Sequence, residues 1–431
     1  MKYHSVLNSS PTLSFREALF AGLAPDGALL VPETTPRLLS DAGRSTSLHQ
    51  IGLDVLSLFV DEIPNQKLLS ILRNAWNFPI PLVKLDEGIF LLELFHGPSL
   101  AFKDIGVRFM AHVISHFLEH HHQELTVLVA TSGNTGSAVA RGFYNVPNIS
   151  VAIFFPSEKI SRLQELQMTT LGGNITAIEV EGTFDDCQRL VKRALADPVV
   201  QRHRTLTTAN SINVGRLLPQ IAYYGWSIAQ LQRQFGVSES PLVVVPSGNF
   251  GNITAGVYAK WMGMPLRGFI AATNANDGVI HYLHTGEFVP ADTIRTISNA
   301  MDVANPGNLA RLQCLYKHDV RLLRNDIDAV SISDEETIAE IRRTYETRST
   351  ILDPHSAVGV AAARKAQQWM TNAPPIIVTA PAHPAKCADI VQEAIGTTIP
   401  LPSTLQESMN RPTHTITMPA RYSEVRRLLI S

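Results

Sequence analysis

At 431 residues the chain is too long for one simple core, so two or three packed units are expected. Its 45% hydrophobic and 17% charged content belongs to a compact fold and excludes a disordered chain. A net charge of −2 gives no electrostatic basis for binding nucleic acid or an anionic membrane, and no apolar run is long enough to span a bilayer. The three cysteines, Cys187, Cys314 and Cys387, lie far apart and form no C-x-x-C, which argues against a disulfide scaffold and against a zinc site. The N-terminal stretch has no apolar leader pattern, so a reducing, cytoplasmic setting is expected.

Residues 1–88 read as short elements punctuated by prolines, with helical patterns around Leu53–Val60 and Leu68–Leu72, and they carry no visible chemistry. From Phe90 the pattern changes to alternating strand and helix. A helix after Lys103 runs into three consecutive histidines, His120–His122; consecutive residues point in different directions on a helix, so a solvated helix end is expected there rather than a metal site. Strands follow at 125–130, 149–155, 175–180, near 206, at 242–246, 267–272 and 376–379. The intervening helices are expected at 158–170, 184–196, after 214, from 251 to about 262, and near 278–284, 307–317, 334–347 and 356–370, with a last one from about 384. Repeated βα units with short connections imply an α/β fold with two parallel-sheet domains, at 89–216 and 217–431, behind a small, mainly helical N-terminal unit.

The most chemically suggestive stretch is E-L-F-H-G-P-S-L-A-F-K-D-I-G-V, residues 93–107. It puts Lys103 at the first turn of a helix among Leu100, Ala101 and Phe102. The helix N-terminus and apolar neighbours both lower a lysine pKa, which suits a Schiff-base or proton-transfer role. Two loops, Ser132-Gly133-Asn134-Thr135-Gly136 and Ser247-Gly248-Asn249-Phe250-Gly251, each follow an apolar strand and open a helix. Such loops cradle anions, although Ser and Asn also serve as ordinary N-caps. Neither has the Gly-Lys-Ser/Thr ending of a Walker A loop or a G-x-G-x-x-G, so a compact phosphate cofactor that uses a lysine, pyridoxal phosphate, fits better than a nucleotide. Asn210-Ser211-Ile212-Asn213-Val214-Gly215-Arg216 sets amides, a hydroxyl and a guanidinium at a helix start, either as a second phosphate site or as a capped helix with a surface arginine. Gly97-Pro98-Ser99-Leu100-Ala101 approaches a hydrolase nucleophile elbow but ends in Ala and carries Pro98 in the turn; His355 or His383 would be its base.

Taken together, F-H-G-P-S-L-A-F-K-D, T-S-G-N-T-G, A-N-S-I-N-V-G-R, V-P-S-G-N-F-G-N, S-N-A-M-D and H-P-A-K, in this order, resemble the threonine synthase family of the tryptophan-synthase-β-like pyridoxal-phosphate enzymes. The resemblance runs over nearly the whole chain. It implies that Lys103 holds the cofactor as a Schiff base, that Gly248, Asn249, Phe250, Gly251 and Asn252 bind its phosphate, and that Asn134 lies near its ring hydroxyl. Ser132 and Thr135 would approach the substrate carboxylate, and Ser211, Asn213 and Arg216 the substrate phosphate, with Thr379 at the ring nitrogen. The implied reaction turns O-phospho-L-homoserine and water into L-threonine and phosphate, by γ-elimination and then addition of water at Cβ. A phospholyase or other β-eliminating enzyme of the group, and a non-catalytic cofactor-binding relative, are the competing readings. A monomer or homodimer acting on a small phosphorylated amino acid is expected. The chain departs from the family pattern in having Asn134 where Asp is frequent, and two extra residues between Thr379 and H-P-A-K.

Overall fold

The computed structural model describes residues 1–38, 47–119, 124–131, 133–157, 160 and 162–430; the His120–His122 run and Ser132 lie outside the described residues. In chain order the first strands are β1 (Tyr3–Ser5), β2 (Leu30–Pro32), β3 (Leu82–Asp86), β4 (Ile89–Glu93), β5 (Leu125–Ala130), β6 (Ile149–Pro156), β7 (Ile175–Glu181) and β8 (Thr205–Thr208). They are followed by β9 (Leu242–Pro246), β10 (Gly268–Thr273), β11 (Ile327–Ser331), β12 (Ile376–Ala380) and β13 (Thr415–Pro419).

β1 and β2 form a small antiparallel pair. The larger sheet has the order β11-β10-β9-β12-β4-β3 and is parallel except for the β3–β4 hairpin at its edge. The smaller, β13-β7-β6-β5-β8, is parallel throughout. Helices cover the faces of parallel sheets, which is why β5, β9 and β10 bury every residue and read as unbroken apolar runs. The segments after the strand ends of the two sheets meet: Lys386, after β12, bonds Ser137, after β5, and Asn249, after β9, bonds Ser211, after β8, at the strand ends where α/β folds place their ligands.

The expected boundary at 216/217 does not follow the strands. β4 pairs with β12 inside the larger sheet, so the segment leading to Lys103 begins in that sheet. β13 returns from the far end of the chain to pair with β7 at the edge of the smaller one. The physical reason is pairing across long sequence separations, which periodicity does not encode. A second difference is local: the long helix expected after residue 214 is broken into Val214–Leu217, a 3₁₀ turn at Leu218–Gln220 and Ile221–Phe235. Pro219, which has no N–H to donate, sits in that turn.

The N-terminal unit contributes helices Phe15–Ala21, Leu48–Leu56 and Asn65–Ala75, the first closed by a Ser14–Glu17 capping box. It braces the back of the Lys103–Leu118 helix. Trp76 stacks near Phe109 with centroids 6.5 Å apart and donates Nε1–H to the Ile105 carbonyl at 3.0 Å. Arg108 reaches back to the Ala75 carbonyl at 2.6 Å. No helix among the described residues is long and apolar enough to cross a membrane.

Candidate active site

Lys103 opens the Lys103–Leu118 helix, as its sequence context requires. The Leu100 N–H closes the preceding turn on the Gly97 carbonyl at 2.9 Å, and Leu100 itself takes a positive φ of 58°. The two extra residues before H-P-A-K brace this turn: the Phe102 N–H donates to the Pro381 carbonyl at 2.8 Å, and Ala101 bridges Ala382. Lys103 is half-buried, with its Nζ 5.6 Å from the centre of the Phe102 ring. Burial pushes its ammonium down to about 7, and the positive charges of Arg216 and Lys386 push the same way. A large fraction of this amine is therefore neutral near pH 7.

Beneath it lie two buried ionisable groups. Asp104 is fully enclosed; burial pushes its carboxyl up to about 6, although the Ser99 N–H donates to its Oδ2 at 2.9 Å. Lys386 donates to the Ser99 carbonyl at 2.8 Å, the Gln167 Oε1 at 3.0 Å and the Ser137 hydroxyl at 3.1 Å. Burial brings it down to about 8, partly opposed by Asp104. Lys386 follows β12 of the larger sheet, whereas Ser137 and Gln167 sit on helices of the smaller one, so its ammonium ties the two halves together close to Lys103.

On the larger-sheet side, β9 runs into the loop 247–252 and the Gly251–Trp261 helix. Phe250 takes a left-handed conformation at the helix start, φ 58°. A Cβ on Gly248 would lie 2.7 Å from the Met301 Cα, so only glycine fits there. Asn249 locks the loop: its Oδ1 accepts from the Gly307 N–H at 2.6 Å, its carbonyl from Asn308 at 2.9 Å, and its Nδ2 donates to the Ser211 hydroxyl at 2.6 Å. Asn252 accepts the Tyr223 and Tyr224 hydroxyls at 2.6 Å each. The end of β12 brings Thr379 to the same region; its hydroxyl is fully buried and has no hydrogen-bond partner among the described residues.

On the smaller-sheet side, β5 leads into the second glycine loop. Thr131 Oγ1 accepts the N–H groups of Gly133 and Gly136, both at 2.9 Å, and the helix starts at Asn134. Asn134 is nearly buried and accepts from Gln164 at 3.2 Å, while Thr135 is half-buried. In the third segment, Asn210 ties to Ala130 at the end of β5, and Ser211 meets Asn249. Arg216 is 3% exposed, donates to the Ala209 carbonyl through Nη1, and leaves Nε without a partner among the described residues. Asn213 departs from expectation as a phosphate ligand. Both its amide hydrogens are spent on the Leu19 and Thr208 carbonyls, at 2.8 and 3.1 Å, and its oxygen caps the Gly215 N–H at 2.8 Å. It is the helix cap that sets Arg216 in place.

A hydrolase triad is absent among the described residues. Ser99 is buried beside the Asp104 carboxyl, His355 joins Asp353 at 2.5 Å and the Ala300 N–H at 3.1 Å, and His383 accepts from the Ala385 N–H at 3.1 Å.

Comparison with known proteins agrees with this geometry. Residues 76–418 match the family described as pyridoxal-phosphate dependent enzyme, and residues 2–76 match the threonine synthase N terminus. The threonine synthase of Escherichia coli K12 is 39% identical over the full length of both chains. The chain belongs to the threonine synthase family. Its structure agrees: the crystal structure of the E. coli threonine synthase superposes with a TM-score of 0.91 at 38% identity, covering 100% of this chain and 99% of that one. A pyridoxal-phosphate-bound threonine synthase from Brucella melitensis gives 0.92 at 34% identity, covering 100% and 99%. As a member of the family the chain is a pyridoxal-phosphate-dependent lyase that forms threonine.

The residues present fit the threonine synthase cofactor. A phosphate suits the helix-start loop 247–252, where Gly248 packs tightly on the Met301 main chain, a ring nitrogen suits the orphaned Thr379 hydroxyl, and an aldehyde suits a near-neutral Lys103 amine. Sequence reasoning assigned no role to Asp104, Gln164, Gln167, Asn308 or Lys386. Asp104 and Lys386 carried a signal, as the last residues of F-H-G-P-S-L-A-F-K-D and H-P-A-K.

Proposed function

We propose that the substrate is O-phospho-L-homoserine, converted with water into L-threonine and inorganic phosphate. The observation that carries this reading is a near-neutral Lys103 set between a glycine-built cradle at 247–252 and a buried guanidinium, Arg216, that has no carboxylate partner among the described residues. One anion site serves the cofactor phosphate and the other a phosphate on the substrate.

When bound, pyridoxal phosphate supplies a conjugated ring that spreads the negative charge left when the substrate loses its α-proton. Lys103 would anchor that ring, and its free Nζ would move in turn the α-proton, the β-proton lost as phosphate leaves Cγ, and the proton returned to Cγ. Gly248, Asn249, Phe250, Gly251 and Asn252 present helix-start N–H groups to the cofactor phosphate. Thr379 would hold the ring nitrogen with a neutral hydroxyl, and Asn134 would face the ring hydroxyl. Ser132 and Thr135 orient the substrate carboxylate, and Ser211 and Arg216 hold the phosphate that leaves, with Asn213 positioning that segment. Closure of the two sheet halves around Lys386 keeps bulk water from the amine until the β-addition step.

The same reading places the enzyme in the cytoplasm, as a monomer or homodimer, in keeping with three separate free cysteines. The test is to supply O-phospho-L-homoserine and assay phosphate and threonine together. Equal release of both is expected, and phosphate accompanied by a keto acid would instead mark a phospholyase. Lys103→Ala should lower both by about a hundredfold to ten-thousandfold.

A further inference from the structure

Arg311 stands behind both anion sites and has no part in the reaction as described. It lies on the Leu309–Leu315 helix and is 0% exposed. Its Nε donates to the Leu30 carbonyl at 3.0 Å, Nη1 to the Asn308 Oδ1 at 2.7 Å and Nη2 to the Ile212 carbonyl at 2.6 Å. All three acceptors are neutral. No carboxylate among the described residues pairs with it, and the ionisable side chain whose charge it faces, Tyr258, is held neutral because burial raises its hydroxyl. Burial lowers the guanidinium only to about 10, so it stays charged at neutral pH.

A buried cation without a counter-anion is costly, and three carbonyl-type oxygens give each guanidinium nitrogen a partner without cancelling its charge. The network around it shows where an anion would be felt. Asn308, which accepts from Arg311, donates to the Asn249 carbonyl at 2.9 Å, and Asn249 in turn holds the Gly307 N–H and the Ser211 hydroxyl, both at 2.6 Å. Arg311 thus reaches the 247–252 loop through one intervening side chain, fixes the 210–216 segment directly at Ile212, and pins both to β2 of the N-terminal unit.

We propose that Arg311 is a positioning residue and the buried counter-charge for the cofactor's phosphate, acting through Asn308 and Asn249 rather than by contact. This rests on the reading of 247–252 as the cofactor-phosphate loop. It differs from a purely mechanical clamp in one measurable respect. A clamp holds the cleft together for any ring that enters, whereas a counter-charge favours the phosphorylated ring over the same ring without phosphate.

The experiment measures binding of pyridoxal phosphate and of pyridoxal to the cofactor-free full chain, from the absorbance of the lysine adduct. Arg311→Met should weaken pyridoxal phosphate by about tenfold, the scale of a charge interaction without contact at an effective dielectric of about 20, with pyridoxal changed much less. Arg311→Lys should keep most of the preference. If R311M does not fold, Arg311→Gln, neutral but still able to donate to a carbonyl, gives the same reading. Equal weakening of the two ligands in the neutral variant would overturn the proposal and leave a clamp. Gly248→Ala separates the two levels: should it leave the phosphate preference intact, the loop reading itself fails. If G248A removes the preference while the neutral Arg311 variant retains it, only the role of Arg311 falls.

Discussion

The two glycine loops on either side of Lys103 are spelled almost alike and are walled differently. Gly248 faces main chain, with the Met301 Cα 2.7 Å from where its Cβ would be. Gly133, at φ 136°, faces the Gln164 side-chain amide, whose Oε1 would lie 2.1 Å from a Cβ. Asn249 then fixes the first loop with three hydrogen bonds to Gly307, Asn308 and Ser211, whereas the second leans on Thr131 and Gln164 side chains. A main-chain wall cannot yield without moving an element; a glutamine can swing. The rigid cradle suits a cofactor that stays through every turnover, and the adjustable one suits a substrate that enters and leaves.

Paired substitutions break or sharpen that contrast. Gly248→Ala should cost cofactor affinity heavily, about a hundredfold if two or more charged hydrogen bonds to phosphate are disturbed. Gly133→Ala carries roughly 1–3 kcal/mol of backbone strain at its positive φ, and should show mainly as a raised KM with cofactor binding nearly kept. Equal loss of cofactor in both variants would mean that the two loops do not divide the work. Next in size, Arg216→Gln should raise KM by about tenfold to hundredfold, corresponding to ~1.5–3 kcal/mol for a charged hydrogen bond, and leave cofactor absorbance unchanged. An unchanged KM would move the substrate phosphate elsewhere. Smaller still, Thr379→Val removes a buried hydroxyl that has no partner among the described residues, so cofactor-free stability should stay within about 1 kcal/mol or rise, while kcat falls. A large loss of apo stability would show that the hydroxyl is satisfied within the protein.

Much of the frame behind this contrast was legible in sequence. β5 and β9 lie at 125–130 and 242–246 as their apolar runs predict, and the helix Phe184–Ala196 matches its pattern at both ends. Lys103 begins its helix as the turn and apolar context imply. β13 was not legible because T-I-T-M-P lies on a sheet edge with its first three residues exposed, leaving no apolar run to read. Within the site, main-chain features at glycines were readable, while the groups that wall them were not. Gln164, Asn308 and Arg311 are ordinary polar residues until the fold brings them to the loops. Asn213 shows the opposite error: an amide at a helix start had two readings, and the capping role wins because both its donors are already taken.

The seam between the halves offers the change with least effect on turnover and a clear sign in pH. Asp104 is enclosed under Lys103 near Lys386 and Arg108, and burial pushes its carboxyl from 3.8 up to about 6. Between those values the folded chain keeps a proton that the unfolded chain releases. Its contribution to stability is therefore complete below pH 3.8 and is lost as pH rises through 6. Lys103 works in the opposite sense at higher pH: its folded value, about 7, lies below the 10.5 of the unfolded chain, so its contribution grows as pH rises from 7. The windows do not overlap, which lets one variant isolate the first. Asp104→Asn, a neutral stand-in for the protonated acid, should gain stability on the parent between pH 4 and 7, by roughly 3 kcal/mol at most at 1.36 kcal/mol per pH unit. Denaturant unfolding of the cofactor-free chains at both pH values measures it. A difference that stays constant with pH would mean that Asp104 remains ionised throughout, held by Lys386, and that the seam is a buried ion pair and not a protonated acid beside an ammonium.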